Sequence, residues 1–319
     1  MQKERAVEPM LTSIEQNEID IGMLISLVWR GKWIVLSVTI LGAILSVAIA
    51  TRLPDIYRAE ALLAPASNED GGGLAGLSAQ YSGLASLAGI NLGGLGGSAD
   101  KTALGIEIMQ SRKFIGQFVE RHDILVPLLA SNDWELANNK LVYDRELYSE
   151  DSKSWVRDVS PPLELVPSLL EAHKEFSDLL SVARDTESGF VKVTLEHYSP
   201  YIAKQWVDWL VQDINAELRQ QDISEAENSI AYLQQQLKAT SLSELQAIFY
   251  QLIEEQTKTI MLANARSEYL FRTIDPAVVA ENRSKPKRAL ICILGSTLSF
   301  LLGVAFVFFR TLLPSRVSV

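Results

Sequence analysis

Cysteine and histidine, the residues that most often carry metal or thiol chemistry, are scarce in this chain. Among its 319 residues there are three histidines and one cysteine. Cys292 lies inside a long apolar run, so no disulfide or thiol chemistry is expected in the middle of the chain. His122, His173 and His197 are widely spaced and have no neighbouring cysteine, so the sequence predicts no metal site. We expect His197, at the end of a predicted strand, to be a surface or loop residue.

Catalytic motifs and a basic face are also missing. There is no nucleophile elbow of the GxSxG type, and no pair of carboxylates stands out as a catalytic couple. We therefore predict no catalytic residue and no cofactor. Residues 53–284 carry 34 acidic and 19 basic side chains, whereas the two ends together carry 5 acidic and 10 basic ones. Because binding to a phosphate backbone requires a basic face, nucleic acid is not an expected partner.

A glycine-rich stretch, NLGGLGGSADKT at 91–102, raises the question of a phosphate-binding loop. Such a loop ends in Gly-Lys-Ser/Thr, but here Asp100 precedes Lys101. If a helix begins at Lys101, the Asp100 carboxylate caps it and occupies the N–H groups that an anion would use. We therefore expect a glycine-dense loop over 67–99 that leads into a capped helix, and no nucleotide site. This helix should carry a single apolar stripe formed by Leu104, Ile108, Ile115 and Phe118.

Two uncharged apolar runs, 34–50 and 289–309, lie near the two ends of the chain. Each approaches the roughly 20 residues that a helix needs to cross a bilayer, so we predict transmembrane helices at 33–52 and 289–309. Ala48-Ile49-Ala50 resembles a signal-peptide cleavage site. An acidic lead of 33 residues is a poor signal sequence, however, so we expect the first helix to be retained.

The charges beside the first apolar run predict the orientation. Four basic residues precede that run and favour a cytoplasmic N-terminus: Lys3, Arg5, Arg30 and Lys32. The basic cluster before the second run points the other way, but long loops cross membranes largely regardless of charge. We therefore predict cytoplasmic tails at 1–32, with an amphipathic helix, and at 310–319, and a periplasmic domain at 53–288.

Periodicity gives an α+β fold. Alternating apolar residues predict strands at 57–66, 190–197 and 269–274, which form a small mixed sheet near the membrane. From Pro200 the pattern is helical for about seventy residues and forms a long hairpin, its second helix starting at the capping box Ser241–Glu244. The first long helix has two apolar stripes that are out of frame, so it must face different neighbours along its length. The first stripe is Ala203, Val207, Leu210 and Ile214, and the second is Ala226, Ile230, Leu233 and Leu237.

Small residues recur every fourth position in both apolar runs. Such spacing allows helices to approach closely, within one protomer or between protomers. The residues predicted to pack in this way are Gly42, Ser46, Ala50, Gly295, Ser299 and Gly303.

Four segments resemble the polysaccharide co-polymerases, specifically the chain-length determinant (Wzz) family of O-antigen synthesis. They are EIDIGMLISLVWRGKWIV, YRAEALLAP, the Ser-Pro start of the long helix, and IDPAVVAENRSKPKRALI. The last contains residues that match the family's proline-rich segment: Pro276, Pro286, Lys287 and Arg288. The family's further proline near Glu281 is Ala280 here.

The resemblance implies a non-enzymatic protein of the bacterial inner membrane that assembles as a ring. It also implies partners, namely an integral-membrane O-antigen polymerase and the growing lipid-linked polysaccharide, whose modal length the ring sets in lipopolysaccharide biosynthesis.

Four alternatives stand beside this interpretation. The related tyrosine autokinases carry a cytoplasmic kinase domain, which we do not expect here because ten residues follow the second apolar run. An inner-membrane component of capsule or exopolysaccharide export would share the same topology. A two-span sensor would need a cytoplasmic output domain, and a membrane-anchored hydrolase would need a catalytic motif.

Overall fold

The computed structural model describes residues 29, 31–66, 98–240 and 242–312. The chain divides into two compact units. The helical unit comprises Met1–Leu53 and Lys287–Val319, and the α+β unit comprises Pro54–Pro286.

The described helices and strands follow in chain order. The helices are α1 (Lys32–Arg52), α2 (Ser98–Gln110), α3 (Arg112–Arg121), α4 (Leu125–Leu129), α5 (Leu169–Leu179), α6 (Pro200–Ala239), α7 (Ser243–Ala265) and α8 (Arg288–Leu312). The strands are β1 (Tyr57–Pro65), β2 (Ser131–Glu135), β3 (Lys140–Tyr143), β4 (Tyr148–Ser149), β5 (Ser154–Trp155), β6 (Leu180–Arg184), β7 (Val191–His197) and β8 (Phe271–Asp275).

The helical unit consists of α1 and α8, which pack against each other and contain the two apolar runs. Their apolar stretches, 21 residues in α1 and 23 in α8, are long enough to cross a membrane. Most of their large apolar side chains point outward, and Leu41, for example, is 70% exposed. A helix that is apolar all round is typical of a lipid environment, so both helices fit a membrane protein.

A four-stranded sheet, in the order β6-β7-β1-β8, organises the α+β unit. Alternate residues of β1 face the core: Ala59, Ala61 and Leu63 are buried, and they lie opposite Leu195, Val193 and Val191 of β7. These cross-strand pairs stabilise the sheet on its inner face. The three predicted strands are β1, β7 and β8, to within two residues at their ends.

The sheet differs from the prediction in two respects. It has a fourth strand, β6, which the sequence pattern did not reveal because its five residues expose Ser181, Ala183 and Arg184. It is also antiparallel throughout instead of mixed. β6 and β7 are joined by a short connection, which favours antiparallel pairing. β7 and β8 lie on either side of β1, and both run antiparallel to it.

The core lies between this sheet and the helices. Residues of the first half of α6 are fully buried: Ala203, Val207, Leu210 and Ile214. They are the first predicted apolar stripe, and α6 contacts both β1 and β7. Phe176 of α5 packs against α6 and α3: its ring centroid lies 5.8 Å from that of Trp206 and 5.3 Å from that of Phe118.

The second half of α6 forms the predicted hairpin with α7. Here Ala226 is buried, whereas the rest of the second stripe, Ile230, Leu233 and Leu237, is half-buried. The out-of-frame stripes therefore reflect two different neighbours, the sheet and α7, as predicted. α7 begins at Ser243, one residue later than expected. Its N-cap is Leu242, which makes no side-chain hydrogen bond to the helix. Ser241, the predicted cap, lies outside the described residues.

Asn215 fixes the chain where it returns from the hairpin. Its side-chain oxygen accepts from the backbone N–H groups of Leu270 and Phe271 at 2.7 and 2.8 Å, and its amide nitrogen donates to the carbonyls of Val211 and Phe271 at 3.0 Å. Because Asn215 is buried, its side-chain amide cannot bond to water, and these hydrogen bonds satisfy it instead.

The helix predicted after the glycine-rich segment begins earlier than expected. α2 starts at Ser98, which places Asp100 in the first turn and not at the N-cap. The predicted single stripe is also divided, because Ser111 ends α2 and caps α3 by accepting from the N–H of Phe114 at 3.2 Å. The glycine-dense residues 67–97, the predicted amphipathic helix at 21–28 and residues 313–319 lie outside the described residues.

Candidate functional site

The small residues predicted to pack line the contact between α1 and α8. A Cβ added at Gly42 would overlap the side chain of Ser299, and one added at Gly295 would lie 2.5 Å from Cβ of Ser46. Ser46 and Ser299 satisfy their hydroxyls within their own helices, by donating to Ala43 and Gly295. Any side chain at Gly42 or Gly295 would therefore push the helices apart here.

The other members of the set extend the same contact. A Cβ at Gly303 would lie 3.2 Å from Cα of Val35, and Ala50 is buried. The carbonyl of Ala50 accepts a hydrogen bond from Nε of Arg288 at 3.0 Å. At Gly31, which the sequence pattern did not single out, an added Cβ would lie 2.6 Å from both γ-carbons of Val307. The two helices thus run antiparallel, with small residues along the whole contact.

The proline-rich motif is divided between the two units. Pro276 follows β8 and is exposed, next to the buried Ala277, and Pro286 is the last residue of the α+β unit. Lys287 and Arg288 belong to the helical unit, where the Lys287 carbonyl accepts from the N–H groups of Leu290 and Ile291. Along the chain, the four residues extend from the end of β8 to the start of α8.

A polar cluster at the two ends of the α+β unit was not predicted. The carboxylate of Glu196 accepts from Arg58 Nη2 at 2.8 Å, from Lys285 Nζ at 2.6 Å and from Ser284 Oγ at 3.4 Å. We call these four residues the Glu196 clasp. The clasp joins the start of β1, the end of β7 and the last residues of the unit, so sequence spacing could not reveal it.

Backbone bonds reinforce the clasp. The N–H of Ile56 donates to the Lys285 carbonyl at 3.0 Å, and the N–H of Ser284 donates to the Ile56 carbonyl at 2.7 Å. Arg283 pairs with Asp55 at 3.4 Å. Burial tends to raise the pKa of Glu196, but its bonds with Lys285 and Arg58 outweigh burial and lower that pKa. Glu196 is therefore a charged group that holds the two chain ends of the α+β unit together.

The histidines serve structural roles. His197 was expected at the surface, but it is 3% exposed, because it ends a core strand and packs against Trp206 at 4.9 Å. Burial lowers its pKa to about 4, so it is neutral. Its Nδ1 accepts from the N–H of Ser199 at 3.1 Å, which leaves Nε2 facing the Pro127 carbonyl at 3.3 Å.

His122 stacks on Trp209 with 4.1 Å between the ring centroids, and its Nε2 lies 3.0 Å from an Asp213 oxygen that also contacts Arg121. His173 lies 3.2 Å from the Gln110 carbonyl. Within residues 31–66, 98–240 and 242–312, no group of three or more potential metal ligands comes together.

Lys101, the lysine of the glycine-rich stretch, has a protein partner. Its Nζ lies 2.9 Å from Oδ2 of Asp222 on α6, and the same oxygen accepts from the Tyr269 hydroxyl at 2.5 Å. Burial and the Asp222 carboxylate raise the pKa of Tyr269. Lys101 thus ties α2 to the hairpin, while the glycines before it lie outside the described residues.

In this chain an α+β unit lies between two apolar helices that are long enough to cross a membrane. This arrangement fits the class of membrane proteins that are anchored by two helices. Two family models match this chain. The "Chain length determinant protein" model, Wzz, matches residues 17–122, and the GNVR model, "G-rich domain on putative tyrosine kinase", matches residues 234–312. The match over residues 17–122 agrees with the resemblance to the Wzz chain length determinant family that the sequence indicated.

Solved structures of similar proteins include two polysaccharide co-polymerases. A full-length bacterial polysaccharide co-polymerase is 12% identical, with a TM-score of 0.38 over 94% of this chain and 99% of that chain. A fragment of WzzB, the polysaccharide co-polymerase from Salmonella Typhimurium, is 11% identical, with a TM-score of 0.35 over 73% of this chain and all of that chain (100%). No curated protein sequence matches this chain.

Proposed function

We propose that this protein sets the chain length of lipopolysaccharide O-antigen without catalysing its synthesis. The observation that carries the proposal is the match to the chain length determinant family over residues 17–122. The matched region includes α1 and β1, which form part of both units. The contacts of the described histidines and of Glu196 are accounted for by packing and ion pairs, which favours a scaffold over an enzyme.

The scaffold acts in the bacterial inner membrane. α1 and α8 cross the bilayer, residues 53–288 are periplasmic, and the tails at 1–32 and 310–319 are cytoplasmic. The length and outward apolar surface of both helices support the crossing, and the basic residues before α1 support the orientation. The small residues Gly42, Ser46, Ala50, Gly295, Ser299 and Gly303 keep the helices in close contact.

The scaffold is a homo-oligomeric ring. The α6–α7 hairpin leaves several large side chains exposed, among them Leu242 at 63% and Met261 at 67%. Exposed apolar surface of this kind marks contacts with other chains, and closed symmetric assemblies are the commonest arrangement of identical subunits.

The ring controls polymer length through the positions of the polymerase and the growing chain and through the time for which it holds them together. It holds an integral-membrane polymerase and the growing lipid-linked chain together, so that extension continues until the chain dissociates. In this mechanism the protein contributes binding surfaces, and the polymerase contributes the chemistry. Removing the protein should therefore change the length of the polymer more than its amount.

A deletion strain tests the proposal. The strain should still make surface polysaccharide in near-normal amount, but a gel of the polymer should show a broad length distribution without a preferred length. Complementation with the intact gene should restore the preferred length. Loss of polymer from the cell surface, with material retained inside the cell, would instead indicate a component of capsule or exopolysaccharide export.

A further inference from the structure

An open groove of 1020 Å³ runs along α6 in the α+β unit. Its floor extends along α6 from Glu217 to Leu233, about 24 Å at the rise of an α-helix. α7 contributes Gln256 to one wall, and α3 contributes Lys113 at one end. The volume lies near the upper end of the range for small-molecule sites, so the groove can accommodate an extended ligand.

Neutral hydrogen-bonding side chains dominate the lining. Gln221, Ser224 and Asn228 follow one another along the exposed face of α6, and Gln256 joins them from α7. Amides and hydroxyls both donate and accept hydrogen bonds, and sugar hydroxyl groups need this combination. Tyr232, 62% exposed, adds an aromatic face with an apolar body and a polar tip.

The charge of the groove restricts its ligand. Lys113, the basic residue of the lining, is 3.7 Å from the carboxylate of Glu217, and Glu225 adds a further negative charge. A polyanion such as nucleic acid would therefore be repelled. An amphipathic helix would need a row of apolar anchors, whereas the apolar side chains of the lining are Leu233 and Leu252.

We propose that this groove binds a stretch of a neutral saccharide chain. The identity of that chain, the polymer whose length is controlled, rests on the proposed function above. Each contact is weak because the lining is exposed to water, but a chain several sugars long makes many contacts at once. The groove thus provides the residence time that the scaffold mechanism requires.

Two pairs of side chains give a matched test in the full-length protein in lipid nanodiscs. The groove variant is Gln221→Ala with Tyr232→Ala. The control variant is Gln234→Ala with Tyr250→Ala, which removes an exposed glutamine from α6 and an exposed tyrosine from α7, neither of which lines the groove. Since all four positions are exposed and helical, alanine should be tolerated in both variants.

The probe is the strain's own surface polysaccharide, released from its lipid by mild acid hydrolysis. The groove variant should bind it at least about tenfold more weakly than the wild type, because a hydrogen bond and an aromatic contact are lost together. The control variant should bind like the wild type, and dextran sulfate should not compete. Equal weakening in both variants, no binding by the wild type, or competition by dextran sulfate would each overturn the groove assignment.

Polymer gels distinguish failure of this inference from failure of the proposed function. If the deletion strain loses the preferred length but the groove variant keeps it and binds normally, the groove assignment is wrong and the chain-length function stands. If the deletion strain keeps the preferred length, the chain-length function is wrong. The nanodisc measurement then still decides whether the groove binds saccharide.

Discussion

Glu196 holds two cationic side chains at the ends of the α+β unit, so its charge should matter for stability. Glu196→Gln removes the charge but keeps the shape of the side chain. We expect a loss of about 1–2 kcal/mol in the free energy of unfolding, moderated because Arg58 and Lys285 are about half exposed. Thermal unfolding of the full chain in detergent, followed by tryptophan fluorescence, measures the loss.

Glu60→Gln is the control for Glu196. Glu60 pairs with Lys192 at 3.7 Å and is 52% exposed, so its substitution should change stability by less than about half a kcal/mol. The contribution of Glu196 should also depend on pH. Because its folded-state pKa is below the ordinary value of 4.5, this contribution is present above pH 4.5 and declines as the pH falls through the folded-state pKa. Equal effects of the two substitutions would contradict the clasp.

His197 predicts a second pH dependence, in a higher range. Its pKa falls from 6.5 to about 4 on folding, so between these values the unfolded chain binds a proton that the folded chain does not. Lowering the pH from 7 to 5 should therefore reduce the stability of the wild type, by up to about 2 kcal/mol. His197→Gln should show a flatter profile over this range, and a variant with the same slope as the wild type would refute the assignment.

At the scale of elements, the contact between α1 and α8 depends on the absence of side chains. Gly303→Leu should destabilise the pair by about 1–3 kcal/mol, because the new side chain would meet the backbone of Val35. Ala305→Leu, on an exposed position of the same helix, should have little effect. Thermal unfolding in detergent measures stability, and polymer gels from complemented strains should show a broader length distribution for Gly303→Leu alone.

Local patterns predicted the two apolar helices, the α6–α7 hairpin, the helix that begins at α2 and the strands β1, β7 and β8, but they did not predict β2–β6, α4 or α5. Alternating apolar residues were sufficient for β1 and β7, since each has one buried face. β6 was not predicted, because a short strand at a sheet edge buries too few side chains to show alternating apolar residues. The Glu196 clasp joins residues 138 and 88 positions apart, and Asn215 bonds Leu270, 55 positions away, so neither leaves a local signal.

The predicted small residues lie at the helix contact because their spacing follows the helix period, which is a local property. Charge patterns, by contrast, could not identify the role of Lys101. The glycines before it raised the question of a phosphate-binding loop, which Asp100 argued against, but no local pattern indicated its partner Asp222, 121 residues away. His197 was expected at the surface or in a loop, because a polar residue at a strand end is usually exposed, whereas its core neighbour Trp206 lies on another element.

At the scale of the whole molecule, topology can be tested with single cysteines in a Cys292→Ala background. Ser152→Cys, on an exposed position of the α+β unit, should react in intact cells with a thiol reagent that cannot cross the inner membrane. Ser318→Cys, in the C-terminal tail, should react only after the cells are opened. The reverse pattern would invert the proposed orientation.

The central claim is that the protein changes polymer length without making polymer. Reconstitution of the polymerase in proteoliposomes, with and without this protein, tests that claim most directly. Total sugar incorporated per polymerase should stay within about twofold, while the length distribution should narrow around a preferred value when the protein is added. Polymer formed by this protein alone, or incorporation that rises in proportion to its amount with no change in length distribution, would contradict the account.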